Sequence, residues 1–252
     1  MFHALLLPFL YRSGMASVKT FVYTLHFFFK PLSYSLFTTL IGLLFLTACA
    51  APSPPPSQAL TASDSAAHRE WKPANLKLIS NAIPLLQTGD IVLRTGADAT
   101  SHALMLMNQK SRVYSHCGIV SIESGTPWIY HSTGGEENPD AHLLRETPAQ
   151  FFDPSFNEGG GVYRYLVTPA QQAALSKISQ QWYREGRTFD MEFDLATDTQ
   201  LYCAEFVYKA FRKTGFSEQQ FSKSKTGGFE YIGIDDLYSN RDAKMICSFR
   251  YQ

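Results

Sequence analysis

No aspartate or glutamate occurs between Met1 and Cys49, and the only Lys or Arg residues there are Arg12, Lys19 and Lys30. The whole chain has no charge excess, with 22 Lys+Arg against 22 Asp+Glu. Without the three N-terminal basic residues, 19 stand against 22, a net charge of −3. That excludes the basic patch or stripe of a nucleic-acid binder. Cysteine is scarce, at four residues, and no two of them form a C-x-x-C zinc or redox motif. Internal repeats are also absent, which excludes solenoids and propellers.

The acid-free N-terminus has a basic flank followed by the apolar run LSYSLFTTLIGLLFLTA. That is the layout of a secretory signal. Ser and Thr interrupt the run, which is short for a stable span. It ends in Leu46, Thr47 and Ala48 before Cys49, a pattern that resembles the bacterial lipobox. The resemblance implies cleavage before Cys49, lipidation of its thiol and membrane attachment through acyl chains. An uncleaved single-span anchor is the alternative, and Met15 is an alternative start. Residues 1–48 are thus expected to be a signal peptide. Residues 49–73, rich in Pro, Ser and Ala, are expected to be a flexible tether. Residues 74–252 remain for one domain, enough for a proper core. Export would allow disulfides to form. Cys117, Cys203 and Cys247 are odd in number, so at least one thiol is unpaired within the chain; a Cys117–Cys247 pair is left open.

Within 74–252, GDIVLRTG reads as a turn and a short buried strand at Ile91–Leu93. SHALMLMNQ reads as a short helix capped by Ser101. YSHCGIVSI and PWIYHST read as strands joined through ESGT. GGGVYRYLV adds a strand. TPAQQAALSKISQQWYREG carries a capping box at Thr168 and Gln171, Pro169 in the first position and Gly186 beyond its end. LYCAEFVYKAF reads as an amphipathic helix capped by Asp198 or Thr199, with Cys203, Val207 and Ala210 on one face. AKMICSFRY is a last strand. The expected fold class is α+β with an antiparallel sheet.

Cys203 sits within the first turn of its helix, where unpaired N–H groups and the dipole lower a thiol pKa. Position alone leaves a nucleophile and a buried core cysteine both open. A nucleophile needs a base, and the base needs an orienting group. His68 lies in the tether, His102 beside a helix start and His142 in an irregular segment. His116 and His131 are the better pair. A hairpin symmetric about Glu123-Ser124 puts them directly opposite each other on one sheet face. A cross-strand polar pair without catalytic role is the alternative. Cys117 would face the other way and read as core. Glu205 reads as a surface or structural acid.

GDIVLRTG, SHCGIV, WIYHS and TFD…LYCAEFVYKAF, in this order, resemble the circularly permuted branch of the NlpC-type papain-like cysteine hydrolases, in particular YiiX/YebB-like proteins. The resemblance runs from about Leu86 to the C-terminus. It implies a papain-like domain with Cys203 as nucleophile, His116 as base and His131 as orienting group. Members of that branch often carry Glu where this chain has His131, and a neutral imidazole orients a base less strongly. The implied chemistry is acyl transfer through a thioester, with no cofactor and no metal. A zinc site at His116, His131 and Cys203 has irregular spacing and no further ligand. The expected substrate is a peptidoglycan peptide; the alternatives are a lipid or other acyl amide or ester, or binding without turnover. The expected location is the bacterial cell envelope, on a membrane through Cys49.

Overall fold

The computed structural model describes residues 72–135 and 138–252. The signal segment, Cys49, most of the tether and His68 lie outside the described residues. Among the described residues, no helix is long and apolar enough to cross a membrane.

A six-stranded antiparallel sheet organises these residues, in the order β4-β3-β2-β1-β5-β8. Its strands are β1 (Ile91–Gly96), β2 (His116–Glu123), β3 (Thr126–His131), β4 (Leu144–Glu146), β5 (Asn157–Arg164) and β8 (Lys244–Arg250). A separate ribbon pairs β6 (Ser224–Thr226) with β7 (Phe229–Tyr231). The helices are α1 (Pro73–Ala82), α2 (Ala99–Leu106), α3 (Pro148–Phe151), α4 (Pro169–Arg184) and α5 (Cys203–Lys213).

The period-2 alternation of strand side chains divides the core in two. Ile91, Leu93, Cys117, Ile119 and Tyr130 face one way, against Leu175 and Trp182 of α4 and Phe206, Val207 and Phe211 of α5. Val92, Val120, Ile129 and Val162 face the other way, against Ile79 of α1 and Phe151 and Phe152 at α3. The central strand β1 is therefore apolar at consecutive positions, because both of its faces are covered. Helices on both faces of an antiparallel sheet give the expected α+β class.

Several local expectations change. Ser124 and Gly125, at φ +50° and +82°, form the two-residue turn between β2 and β3. Left-handed φ at both positions matches the twist of a tight hairpin. The register pairs Glu123 with Thr126 and Ile119 with Tyr130. His116 is therefore not directly opposite His131; the register is shifted by two residues. An even shift keeps a side chain on its face, whereas an odd one would have parted the histidines. Asp98, not Ser101, caps α2: its carboxylate accepts the Ser101 N–H at 2.8 Å. Tyr202, not Asp198 or Thr199, is the N-cap residue of α5, so Cys203 is its first helical residue. Nor is α5 half exposed, since every residue from Cys203 to Phe211 is buried. Its polar residues Glu205 and Lys209 are neutralised against each other at 2.8 Å. Glu205 also accepts the Tyr202 N–H at 3.1 Å, which makes it a structural acid inside the protein. Cys117 and Cys247 are both free thiols. They lie on β2 and β8, with β1 and β5 between them. Three strand spacings of about 4.8 Å exceed the reach of a disulfide.

Gly118 sits where β2 meets the end of β3. A Cβ added there would lie 2.8 Å from the Tyr130 carbonyl oxygen and 3.1 Å from the His131 Cβ. Backbone cannot yield as a flexible side chain does. Gly118→Ala is expected to destabilise the protein by about 1–3 kcal/mol. A lowered Tm in thermal unfolding checks this, and an unchanged Tm would show that β3 is free to move aside.

Candidate active site

The segment before α5 fixes where its N-terminus lies. Leu201 donates its N–H to the Thr188 carbonyl at 2.9 Å, and its own carbonyl accepts the Ser132 hydroxyl at 2.5 Å. The Tyr202 hydroxyl accepts the Ile232 N–H at 2.8 Å. Buried Asp190 holds the preceding loop by accepting the N–H groups of Glu192 (2.8 Å) and Asp194 (2.7 Å). These contacts press the start of α5 against the end of β3.

Cys203 is 9% exposed. The Cys117 thiol and the backbone N–H groups of Cys117, Ala204 and Cys203 itself favour the thiolate form of this sulfur. The Cys117 N–H is available because β3 has already ended. Val120 donates its N–H to Asp90 next to β1, so by alternation the Cys117 N–H points towards the β3 side. The paired strand there stops at His131. The Cys117 thiol, the largest influence, pulls the Cys203 pKa down; burial opposes it, and the backbone donors reinforce the lowering. Cys117 is pushed well up, by burial first and then by its bond to Cys203. The first thiol is thus the one that ionises, and the second stays protonated as a donor.

His116 opens β2, one residue before Cys117, and shares the other sheet face with Arg94 and His131. Its Nε2 lies 2.8 Å from His131 Nδ1, with the rings nearly perpendicular at 83°. His131, fully buried, places its Nε2 3.0 Å from Glu146 Oε2 on β4. Phe151 packs against both imidazoles, with centroids 5.8 and 5.2 Å away. Burial drives the His116 pKa well below its ordinary value of 6.5, helped by the charge of Arg94 and by His131. His131 is also lowered, by burial and by Arg94 against the contrary pull of Glu146. Both rings are therefore neutral at pH 7. Burial raises the Glu146 pKa, but the hydrogen bond from His131 and the Arg94 charge outweigh it, and the carboxyl stays ionised. Arg94 is held by the Phe151 carbonyl at 3.0 Å and lies 4.0 Å from Glu146.

The structure thus brings His116 and His131 into direct contact and sets Cys203 against the residue next to His116. No hydrogen bond joins the thiol to either ring among the described residues. Nδ1 of His116, with Nε2 engaged, is the ring atom left for the thiol. His102 and His142 lie elsewhere: the first faces Glu158 at 3.4 Å, the second Gly186 O at 2.7 Å. Sequence reasoning missed Glu146, Arg94 and the donor role of Cys117. Glu146 was signalled, because Thr147-Pro148-Ala149-Gln150 repeats the helix start Thr168-Pro169-Ala170-Gln171. Both form capping boxes, so an extended segment had to end at Glu146.

A thiol at a helix start, a neutral histidine row and a Cys helix that follows the His strands in the chain suit a permuted papain-like site. Residues 85–230, more than half of the chain, match the family of permuted papain-like amidases, YaeF/YiiX, C92 family. The chain belongs to this family. Its fold is similar to the crystal structure of the metalloprotein YiiX from Escherichia coli O157:H7, with a TM-score of 0.53 and 15% identity, covering 65% of this chain and 98% of that one. No curated protein matches the chain by sequence. The family's activity makes this a papain-like amidase-type hydrolase. Among the described residues, no group of three or more His, Cys, Asp or Glu side chains could hold a metal ion.

The Cys117 thiol supplies the largest lowering of the Cys203 pKa. Cys117→Ala is expected to move the midpoint of Cys203 alkylation by iodoacetamide to higher pH, read by peptide mass spectrometry. An unmoved midpoint would show that the backbone donors alone set it.

Proposed function

We propose that the protein is a membrane-tethered cysteine amidase of the cell envelope that cleaves amide bonds in peptidoglycan peptides. The observation that carries the cysteine mechanism is the Cys203 thiol at the first residue of α5, its pKa lowered by the Cys117 thiol and nearby backbone N–H groups, together with a directly bonded histidine pair that begins one residue before Cys117. His116 takes the Cys203 proton, and the sulfur attacks the amide carbonyl. The first-turn N–H groups of α5, that of Cys203 included, face the developing oxyanion. His116 then passes the proton to the leaving amine, and the C–N bond breaks. Water, deprotonated by His116, attacks the thioester and releases the acid and the free thiol. His131 holds His116 in orientation. The substrate and location rest on the expected lipidation of Cys49, which would keep the domain beside the wall.

A second reading keeps the same residues and takes a lipid or N-acyl amide or ester. One observation favours it: α2 contains no buried residue, and Leu106 in it is 61% exposed. The helix directly follows β1, whose Arg94 belongs to the site.

Purified muropeptides and N-acyl amide lipids, each incubated with wild type and Cys203→Ala, separate these readings. Release of new amino groups from muropeptides by wild type alone is expected. Turnover of the lipid alone would select the second reading, and any activity retained by Cys203→Ala would remove Cys203 as the nucleophile. Because His116 is neutral below its ordinary 6.5, kcat/KM should hold as pH falls through 6.5 and decline only below it. A decline centred at or above 6.5 would contradict His116 as the base. The mature N-terminus should be an acylated Cys49; a retained Lys30–Ala48 segment would refute the tether.

A further inference from the structure

We propose that Glu146 is a positioning residue that fixes the tautomers of both histidines and so makes Nδ1 of His116 the atom that receives the Cys203 proton. The proposal rests on the cysteine amidase reading. An ionised carboxylate only accepts hydrogen bonds. With Glu146 Oε2 3.0 Å from His131 Nε2, that nitrogen must carry the hydrogen. A neutral imidazole has one hydrogen, so His131 Nδ1 is bare and accepts. Its partner at 2.8 Å, His116 Nε2, must then donate. His116 is neutral too, which leaves its Nδ1 bare. In the reverse arrangement His131 would donate from Nδ1 to His116 Nε2. The single hydrogen of His116 would then sit on Nδ1, and the base would be lost.

Among the described residues packed against the pair, no other group can set this direction. Phe151, from α3, is apolar. Arg94, from β1, donates to the Phe151 carbonyl and balances the Glu146 charge. Arg145, beside Glu146, is turned away to Glu123 at 2.7 Å and to the Tyr130 hydroxyl at 2.9 Å. Cys203, from α5, is the proton donor itself. A carboxylate thus stands one strand beyond His131 and acts through that imidazole.

The test uses Glu146→Gln and Glu146→Asp. Glutamine can turn its amide N–H to His131 and reverse the row, whereas aspartate keeps the charge. Two readouts apply: ¹⁵N chemical shifts of the histidine rings, and the rate of Cys203 acylation by p-nitrophenyl acetate. Wild type is expected to show hydrogen on Nε2 and none on Nδ1 at both rings. Glu146→Gln is expected to mix or reverse that pattern and slow acylation by on the order of 10²-fold or more. Glu146→Asp should retain the wild-type pattern and recover much of the rate. Wild-type tautomers and rate in Glu146→Gln would overturn the proposal, as would hydrogen on His116 Nδ1 in wild type. Absence of acylation in wild type would refute the amidase reading instead, and the ring shifts would still decide the tautomers.

Discussion

The 2.8 Å contact between His116 and His131 is the constraint on which the site depends, and it is a consequence of strand register. Ser124 and Gly125 set the hairpin turn, the turn sets the pairing of β2 with β3, and the pairing brings the rings together. Gly118 leaves the space in which His131 stands. β4 then adds a carboxylate at the outer end of the row, and β1 adds Arg94 beside it. Each group comes from a different strand, so the sheet is the device that holds their relative positions.

Cys203 is held by the opposite layer. Burial of Cys203 works against its ionisation, because a charge leaves water poorly. The Cys117 thiol and the neighbouring backbone N–H groups reverse the balance. The Cys117 N–H is available because β3 stops at His131. Neutral histidines follow from the same burial.

The two histidines, the cysteine helix and the class of fold were legible because each rests on local pattern. Alternation identified the strands, and caps identified α4. The register was misplaced by two residues, since the sequence around Glu123–Gly125 allows more than one turn. The error was harmless because face depends only on parity. For Glu146 the sequence signals only the end of an extended segment; its place in the site depends on the pairing of a three-residue strand with β3. The burial of α5 was also missed: Glu205 and Lys209 look like a solvent face, and only tertiary packing pairs them inside. Cys117 was correctly read as core, but its role as donor depends on where α5 docks.

The most direct measurement is the site of acylation after a single turnover. Wild type and His116→Gln would be mixed briefly with an activated acyl ester, quenched in acid and digested for peptide mass spectrometry. A base at His116 and a nucleophile at Cys203 predict the acyl mass on the Cys203 peptide in wild type and its near absence in His116→Gln. Acyl mass on a different residue, or equal labelling of Cys203 in both proteins, would contradict that assignment.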